Sequence, residues 1–306
     1  MSLTSLASGI AFGDLEHMGR PRVIATALLM GPDGVAIVDP GPASTLPTLR
    51  RLLVSAGASV ADVTQVLVTH IHLDHAGACG SLVRENPRIR VCVHQVGAPH
   101  MVDPSRLVAS ASRLYGEAMD ALWGEVLPVP STSLHVLNGG ERLRAAGREW
   151  DVAFTPGHAS HHVSYFSADA GIACVGDTAG VQVSVGGFVL PPTPPPDIDI
   201  VRWMESLALI EAWHPETLFL THFGPVNRVT THHAELRDHL HLVERLADAA
   251  LARPGEDADR EAWFIDQVRS HLARSMSETD VRLYEAAGRL DLNWRGLVRH
   301  AKTRGR

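Results

Sequence analysis

The stretch THIHLDHAG at residues 69–77 decides how this chain is interpreted. It follows a short apolar run that predicts a strand. His70 and His72 are two positions apart, so on an extended backbone their imidazoles point the same way and can bind one metal ion. Asp74 and His75 come after the bend, where a helix is expected to begin, and they can face a second ion.

The cluster has two interpretations. A solvated polar loop can hold histidines by chance, and a lone histidine pair would deserve that interpretation. Here four potential ligands fall within six positions directly after a strand, which favours a metal site. Imidazoles and carboxylates are ligands for zinc, and also for iron and manganese. We therefore expect two divalent ions, with zinc preferred.

Three later segments each end a predicted strand with a potential ligand, namely His158, Asp177 and His222. Because strand ends at one edge of a sandwich converge in space, these side chains can complete the site. Asp177 alone would more often be a helix cap or a turn residue. Asp177 is interpreted as a ligand because it occurs together with the other potential ligands.

The order His-x-His-x-Asp-His, then Gly-His, then Asp, then His, is similar to the pattern of the metallo-β-lactamase superfamily over roughly residues 23–225. This resemblance implies an α/β fold, the αββα metallo-β-lactamase sandwich, with the metals at one edge. The ligands that it implies are, for the first metal, His70, His72 and His158; for the second, Asp74, His75 and His222; and for both, as a bridge, Asp177.

Two aspartates add detail to the resemblance. Asp74, followed by histidine, resembles the glyoxalase II, lactonase, nuclease and phosphodiesterase branches more than the antibiotic-hydrolysing enzymes. Asp39, in the sequence VDPG at 38–41, resembles an early strand-turn whose aspartate orients the metal-site residues. A plain turn aspartate is the alternative for Asp39. His162 is expected to support the site from behind the ligands.

The implied chemistry is hydrolysis. Two divalent ions lower the pKa of a bridging water to give a hydroxide, which cleaves an ester, lactone or thioester of a small molecule. Asp74 and Asp177 are the predicted catalytic residues, since they fix the geometry and can move a proton. The alternatives are a phosphodiesterase or nuclease, a mononuclear iron sulfur dioxygenase, and a non-catalytic ligand-binding scaffold. The complete ligand set disfavours the scaffold.

Composition restricts the function classes further. The chain has 306 residues, 45% of them hydrophobic, and a formal net charge of −7. This acidic balance disfavours a nucleic-acid partner. We expect a cytoplasmic protein, because the start of the chain lacks a signal-peptide pattern and the three cysteines indicate no disulfide framework. No membrane partner is expected, and a homodimer is left open.

Strands and helices alternate to about residue 230, and the pattern from 231 to 306 is helical. The predicted division is therefore a metallo-β-lactamase-like domain at 1–230 and a C-terminal helical region at 231–306 packed on it. A helix is predicted across 105–123, and Asp197 is predicted to cap another helix. His232 and His233 are interpreted as part of a solvated helix face.

The tail is expected to help form the substrate pocket. Only residues 223–229 separate His222 from the helices, and a chain extends at most ~3.3–3.6 Å per residue. The first tail helix must therefore begin near the metal edge. Other parts of the pocket are expected from the loop 181–196 and the segment 95–125. Their candidate apolar residues are Leu122, Trp123, Val183, Phe188, Val189 and Leu190.

Overall fold

The computed structural model describes residues 2–184 and 186–304. Two β-sheets pack face to face and helices cover both outer faces, so the predicted α/β sandwich is confirmed. Within those ranges, the strands are β1 Thr4–Ala7, β2 Ile10–Asp14, β3 Ala25–Gly31, β4 Gly34–Val38, β5 Val63–Leu67, β6 Arg90–His94, β7 Leu134–Leu137, β8 Arg142–Ala145, β9 Arg148–Phe154, β10 Val163–Ser167, β11 Ile172–Cys174, β12 Thr217–Leu220 and β13 Gly224–Val226.

Helices lie between these strands at several points as far as β13, and after β13 the described chain is helical. The α-helices of the same residues are α1 Leu46–Ser55, α2 Leu73–Ala76, α3 Cys79–Glu85, α4 Ala98–Val102, α5 Ser105–Tyr115, α6 Met119–Trp123, α7 Ile200–Ala212, α8 Val229–Leu251, α9 Asp257–Ala273, α10 Glu278–Gly288 and α11 Leu290–Arg304. None of the helices in the described part of the chain is both long and apolar enough to cross a bilayer.

Strand direction brings the potential ligands to one edge. In the first sheet, ordered β1 to β7, strands β4, β5 and β6 are parallel. In the second, ordered β13-β12-β11-β10-β9-β8, strand β11 is parallel to β12 and antiparallel to β10. Strand β9 is also antiparallel to β10, so β9, β11 and β12 run the same way. The residues that follow these strands therefore emerge at a common edge.

Successive side chains on a strand point to opposite faces of its sheet, and this alternation separates the layer under the helices from the layer between the sheets. On β4, Val35 and Ile37 pack under the helices, while Ala36 and Val38 face the second sheet. The layer between the sheets also contains Trp150, which is fully buried. Strand β4 thus contributes apolar side chains to two separate layers, which fixes its register in the sandwich.

The tail helices share a core with the body. Leu236 on α8, Phe264 on α9 and Trp294 on α11 pack in one cluster with Leu190 and Trp203. The predicted boundary at residue 230 falls in the first turn of α8. The division into two regions stays a prediction.

Several local predictions need correction. The helix predicted across 105–123 is interrupted at Gly116, which has a left-handed φ of 53°. Asp199, not Asp197, caps α7 by accepting a hydrogen bond from the Arg202 amide. His232 and His233 are buried rather than solvated. His232 Nε2 donates to the Ala179 carbonyl at 2.7 Å, which satisfies one nitrogen of a ring placed inside the helical core.

Candidate metal centre

The structure brings all seven predicted ligands together. The connection after β5 carries His70 and His72, and α2 carries Asp74 and His75. Three groups each place one ligand atom per residue within 4.8 Å of the others. These groups are His70, His72 and His158; His70, His75 and Asp177; and Asp74, His75 and His222.

Two glycines allow the later ligands to reach this cluster. Gly157 precedes His158 at φ 136°, and a Cβ there would lie 2.4 Å from the Trp203 Cα. Gly176 precedes Asp177 at φ 45°, where a Cβ would lie 2.7 Å from a nitrogen of His162. Any larger residue at either position would have to move a packed neighbour.

Asp177 lies between the two sets of imidazoles. Its Oδ2 is 3.3 Å from His158 Nε2, and its Oδ1 is 3.3 Å from His75 Nε2 and 3.6 Å from His222 Nε2. His222 Nε2 is also 3.4 Å from Asp74 Oδ2. The two carboxylate oxygens of Asp177 therefore face different groups.

Nitrogens of the first group also converge. His72 Nδ1 lies 2.9 Å from His70 Nε2 and 3.1 Å from His158 Nε2. Their rings are close to perpendicular, at 78° and 76°. Three nitrogens that point at one another in this way offer lone pairs to one common position.

Unpartnered buried atoms test whether a cation fits. Among the described residues, His75 Nε2, His222 Nε2 and Asp177 Oδ1 are buried and have no hydrogen-bond partner. Leaving such polar atoms unpaired is costly. All three point into the same cluster, and each is an atom type that binds metal. A divalent cation fits this donor set, as the family pattern implies.

The outward-facing ring nitrogens are held by acceptors. His158 Nδ1 donates to the Pro192 carbonyl at 2.8 Å, and His222 Nδ1 donates to the Val23 carbonyl at 2.6 Å. Since a carbonyl can only accept, these bonds fix the tautomer and leave each Nε2 with a lone pair toward the cluster. Sequence patterns could not indicate these two partners, because any residue supplies a carbonyl.

Asp39 supports the site as predicted, and it is fully buried. Its Oδ2 accepts hydrogen bonds from His75 Nδ1 at 2.8 Å, from the Thr69 hydroxyl at 2.8 Å and from the Thr221 hydroxyl at 2.7 Å. Its Oδ1 accepts from the Thr69 amide at 2.8 Å. One carboxylate therefore links the ends of β4, β5 and β12 and orients the imidazole of His75.

The pKa values of the clustered groups favour the binding of a cation. Burial lowers the pKa of His72 to about 4. Burial also opposes a charge on His75, but the carboxylates of Asp177, Asp39 and Asp74 outweigh it and raise the His75 pKa well above its ordinary value. For Asp177, burial raises the pKa, but the surrounding histidines outweigh it and lower the pKa well below its usual range. Asp177 therefore stays ionised, and its negative charge favours a positive ion in the cluster.

A cavity of about 470 Å³ opens onto the cluster. His72 and Asp74 are the half-buried ligands that face it. Its apolar walls come from α5 and α6, including Leu107 and Trp123, and from the tail, including Ala287 and Leu292. The tail thus does contribute to the pocket, through the α10–α11 corner rather than through α8.

The cavity wall differs from the expected one in two respects. Leu122 and Trp123 line it as expected, but Val189 and Leu190 pack into the tail core instead. From this loop, prolines 192 and 194–196 line the cavity instead. His17 also lines the cavity, although no sequence pattern indicates it. Its ring stacks on Trp123 at 5.4 Å, a contact between positions too distant in sequence for any periodicity to record.

The family comparison matches this geometry. The family model described as the metallo-β-lactamase superfamily matches residues 20–222, which include all seven clustered residues. The chain belongs to the metallo-β-lactamase superfamily. Membership explains why the clustered residues follow strand ends at one edge of the sandwich, and it implies a divalent metal at the His and Asp cluster.

Relatives in the superfamily include proteins of different names. A metallo-β-lactamase fold-containing protein of Sulfurisphaera tokodaii is 25% identical over 210 residues, which cover 68% of this chain and 75% of that protein. A hydroxyacylglutathione hydrolase of Synechococcus is 30% identical over 153 residues, 49% of this chain. The match spans only 47% of that hydrolase, about half its length.

Solved structures extend the likeness to the tail. A metallo-β-lactamase family protein of Thermus thermophilus superposes with a TM-score of 0.74 at 21% identity. The superposition covers 98% of this chain and 95% of that one. At this identity the likeness shows the fold alone, and that fold includes the region of the C-terminal helices.

His162 lies behind the ligands and orients Asp177. Its Nε2 accepts a hydrogen bond from the Asp177 amide at 3.2 Å, and its Nδ1 lies 3.0 Å from the Thr155 hydroxyl. We expect His162→Ala to weaken metal affinity or turnover by about 10–100-fold, as is usual for groups that orient ligands. Metal titration against a competing chelator, together with kcat/KM, measures the change.

A matched control is His94→Ala. His94 is also buried, but its ring stacks on Phe154 at 4.2 Å and is not part of any of the three ligand groups. This control is expected to lower the melting temperature without a selective loss of metal. Equal metal affinity in wild type and His162→Ala would contradict the orienting role.

Proposed function

We propose that the protein is a hydrolase that binds two divalent ions, preferably zinc, and cleaves an ester, lactone or thioester bond of a small molecule. The proposal rests on Asp177, whose two oxygens face different imidazole groups across a buried centre. A carboxylate in this arrangement can bridge two cations. Hydrolysis also agrees with membership of the superfamily.

Seven side chains would hold the ions. His70, His72 and His158 would bind the first, Asp74, His75 and His222 the second, and Asp177 both. When bound, such ions act as Lewis acids and bring the pKa of a coordinated water close to neutrality.

The chain's own groups contribute three further effects. Asp177 and Asp74 neutralise positive charge, and Asp74 faces the cavity, where its carboxylate can accept a proton during bond cleavage. Asp39 holds the His75 ring in its orientation. The apolar walls from α5 and α6 exclude bulk water, which strengthens the electrostatic interactions in the site.

Purified protein is expected to contain about two equivalents of divalent metal per chain. Because three buried atoms of the cluster lack a hydrogen-bond partner, removal of metal by a chelator should abolish activity, and added zinc should restore it. Elemental analysis during depletion and reconstitution measures both effects. A protein that contains no metal and takes none up would contradict the proposal. One iron per chain would favour the mononuclear dioxygenase.

A substrate panel tests the reaction class. The reconstituted protein would be assayed with aryl esters, lactones, thioesters and phosphodiesters of comparable size. The net charge of −7 favours the carboxylic substrates over the phosphodiesters. Turnover of phosphodiesters alone would replace the proposal by a phosphodiesterase. Bound metal without turnover of any substrate would favour the ligand-binding scaffold.

A further inference from the structure

Arg289 occupies an unusual backbone position at the α10–α11 corner. It is the single residue between Gly288, where α10 ends, and Leu290, where α11 begins. Its φ of 30° and ψ of 84° lie in the left-handed region, which is favourable for glycine and costly for a residue with a long side chain such as arginine. A strained residue of this kind often has a functional reason, provided that its side chain reaches a site.

The Arg289 side chain does reach a site, because it lines the cavity above the metal cluster. Its guanidinium lies over the Tyr115 ring at 5.4 Å. Its Nε and Nη2 donate to the two carboxylate oxygens of Asp291 at 2.9 and 2.8 Å. In the described part of the chain these bonds leave Nη1 without an acceptor. The Arg289 side chain is 40% exposed, so a ligand in the cavity can reach it.

Much of the cavity wall is apolar, although a second arginine, Arg106, also lines it. Leu107 and Leu114 on α5 and Leu292 on α11 line it with Tyr115. Asp197 also lines the cavity, but its carboxylate accepts a hydrogen bond from the Ser160 hydroxyl at 2.5 Å. A ligand that fills this space would therefore need an apolar body, with one anionic group that can reach Arg289.

We propose that Arg289 binds a carboxylate carried by the substrate at a position other than the bond that is cleaved. The substrate class is a monoanionic acyl ester or thioester whose apolar chain joins the carboxylate to the scissile carbonyl. Asp291 already neutralises part of the guanidinium charge, which matches one negative charge better than two. This inference rests on the proposed function, because it assigns a substrate class to the same cavity.

Binding of a slowly reacting pair of amides tests the inference without turnover. The probes are the monoanilide of adipic acid and hexananilide, which share a six-carbon acyl chain and differ in a terminal carboxylate. Isothermal titration calorimetry on the metal-loaded protein compares their affinities. We expect the carboxylate to improve binding by about tenfold, the effect of a charge-assisted hydrogen bond at a partly exposed site.

The decisive variant is Arg289→Gly. Glycine accepts the left-handed backbone, so the corner can keep its shape while the guanidinium is lost. The preference for the carboxylate should disappear. Arg289→Gln, which retains most of the side-chain length without the charge, should lose it too. The control is Arg295→Ala, because Arg295 also contacts Asp291, at 4.0 Å, but is not among the cavity-lining residues. That variant should keep the preference.

The outcomes separate recognition from catalysis. A carboxylate preference that persists in folded Arg289→Gly would show that another group, such as the metals or Arg106, binds the carboxylate, and would overturn the inference. Absence of the preference in wild type would overturn it as well. The corresponding 4-nitrophenyl esters test hydrolysis separately. If they are not cleaved while the amides still depend on Arg289, the proposed hydrolysis of such esters fails and the recognition role stands.

Discussion

Replacing Asp177 by alanine is expected to lower kcat/KM by about 10³-fold or more, beyond the 10–100-fold typical of a group that only orients a ligand. Asp177 Oδ1 lies 3.3 Å from His75 Nε2, and Oδ2 lies 3.3 Å from His158 Nε2. In two-metal sites generally the ions are about 3.5–4 Å apart, and removal of the shared carboxylate leaves them with less neutralising charge. Steady-state kinetics measures the loss of kcat/KM, and elemental analysis measures any loss of bound metal.

Asp197→Ala is the matched control for this prediction. Asp197 also lines the cavity, but its carboxylate accepts from Ser160 and belongs to none of the three ligand groups. The control should change kcat/KM by only a few-fold. In Asp177→Ala, the metal-free protein should keep its fold, as seen by circular dichroism. Turnover close to wild type in Asp177→Ala would contradict a bridging role.

The clustering of the candidate ligands could be predicted because four of them lie close together in the sequence. His70, His72, Asp74 and His75 fall within six positions after a strand, and period-two geometry relates the first two directly. His158, Asp177 and His222 could be placed near them only on the assumption that strand ends converge at one edge of the sandwich. Strands β9, β11 and β12 satisfy that assumption by running in the same direction.

Backbone partners and distant packing could not be predicted in this way. The carbonyls of Val23 and Pro192 hold two ligand rings, yet a carbonyl leaves no trace in the sequence. His17 reaches the cavity through its contact with Trp123, more than a hundred positions away. Such contacts depend on how the elements pack, and no periodicity in either segment records them.

The buried histidines of α8 show a different limit. A helical pattern treats histidine as polar, which predicts that His232 and His233 lie on the solvated face. In the structure, one hydrogen bond each, to the Ala179 carbonyl and to Glu211, lets the rings lie inside the core. Burial lowers the pKa of His232 to about 4, so the ring is neutral at physiological pH. A neutral imidazole with one partner behaves as a core residue.

Trp294 is the large aromatic side chain by which α11 packs into the core of the tail helices. It is 4% exposed and packs on Phe264, with ring centroids 5.5 Å apart. The adjacent Asn293 lines the cavity, and its side-chain oxygen accepts a hydrogen bond from the Thr193 amide at 2.8 Å. The packing of Trp294 therefore positions the start of α11, which forms part of the cavity wall.

Trp294→Ala is expected to reduce the free energy of unfolding by about 3–5 kcal/mol, the usual cost of truncating a buried tryptophan to alanine. Urea denaturation followed by circular dichroism measures the loss. Because the tail wall loosens while the ligands stay in place, KM should rise without a matching loss of bound metal. The control is Trp263→Ala, since Trp263 is only half-buried and lies under Arg253 at 4.7 Å. If Trp294→Ala cost no more stability than Trp263→Ala and left KM unchanged, α11 would not depend on this anchor.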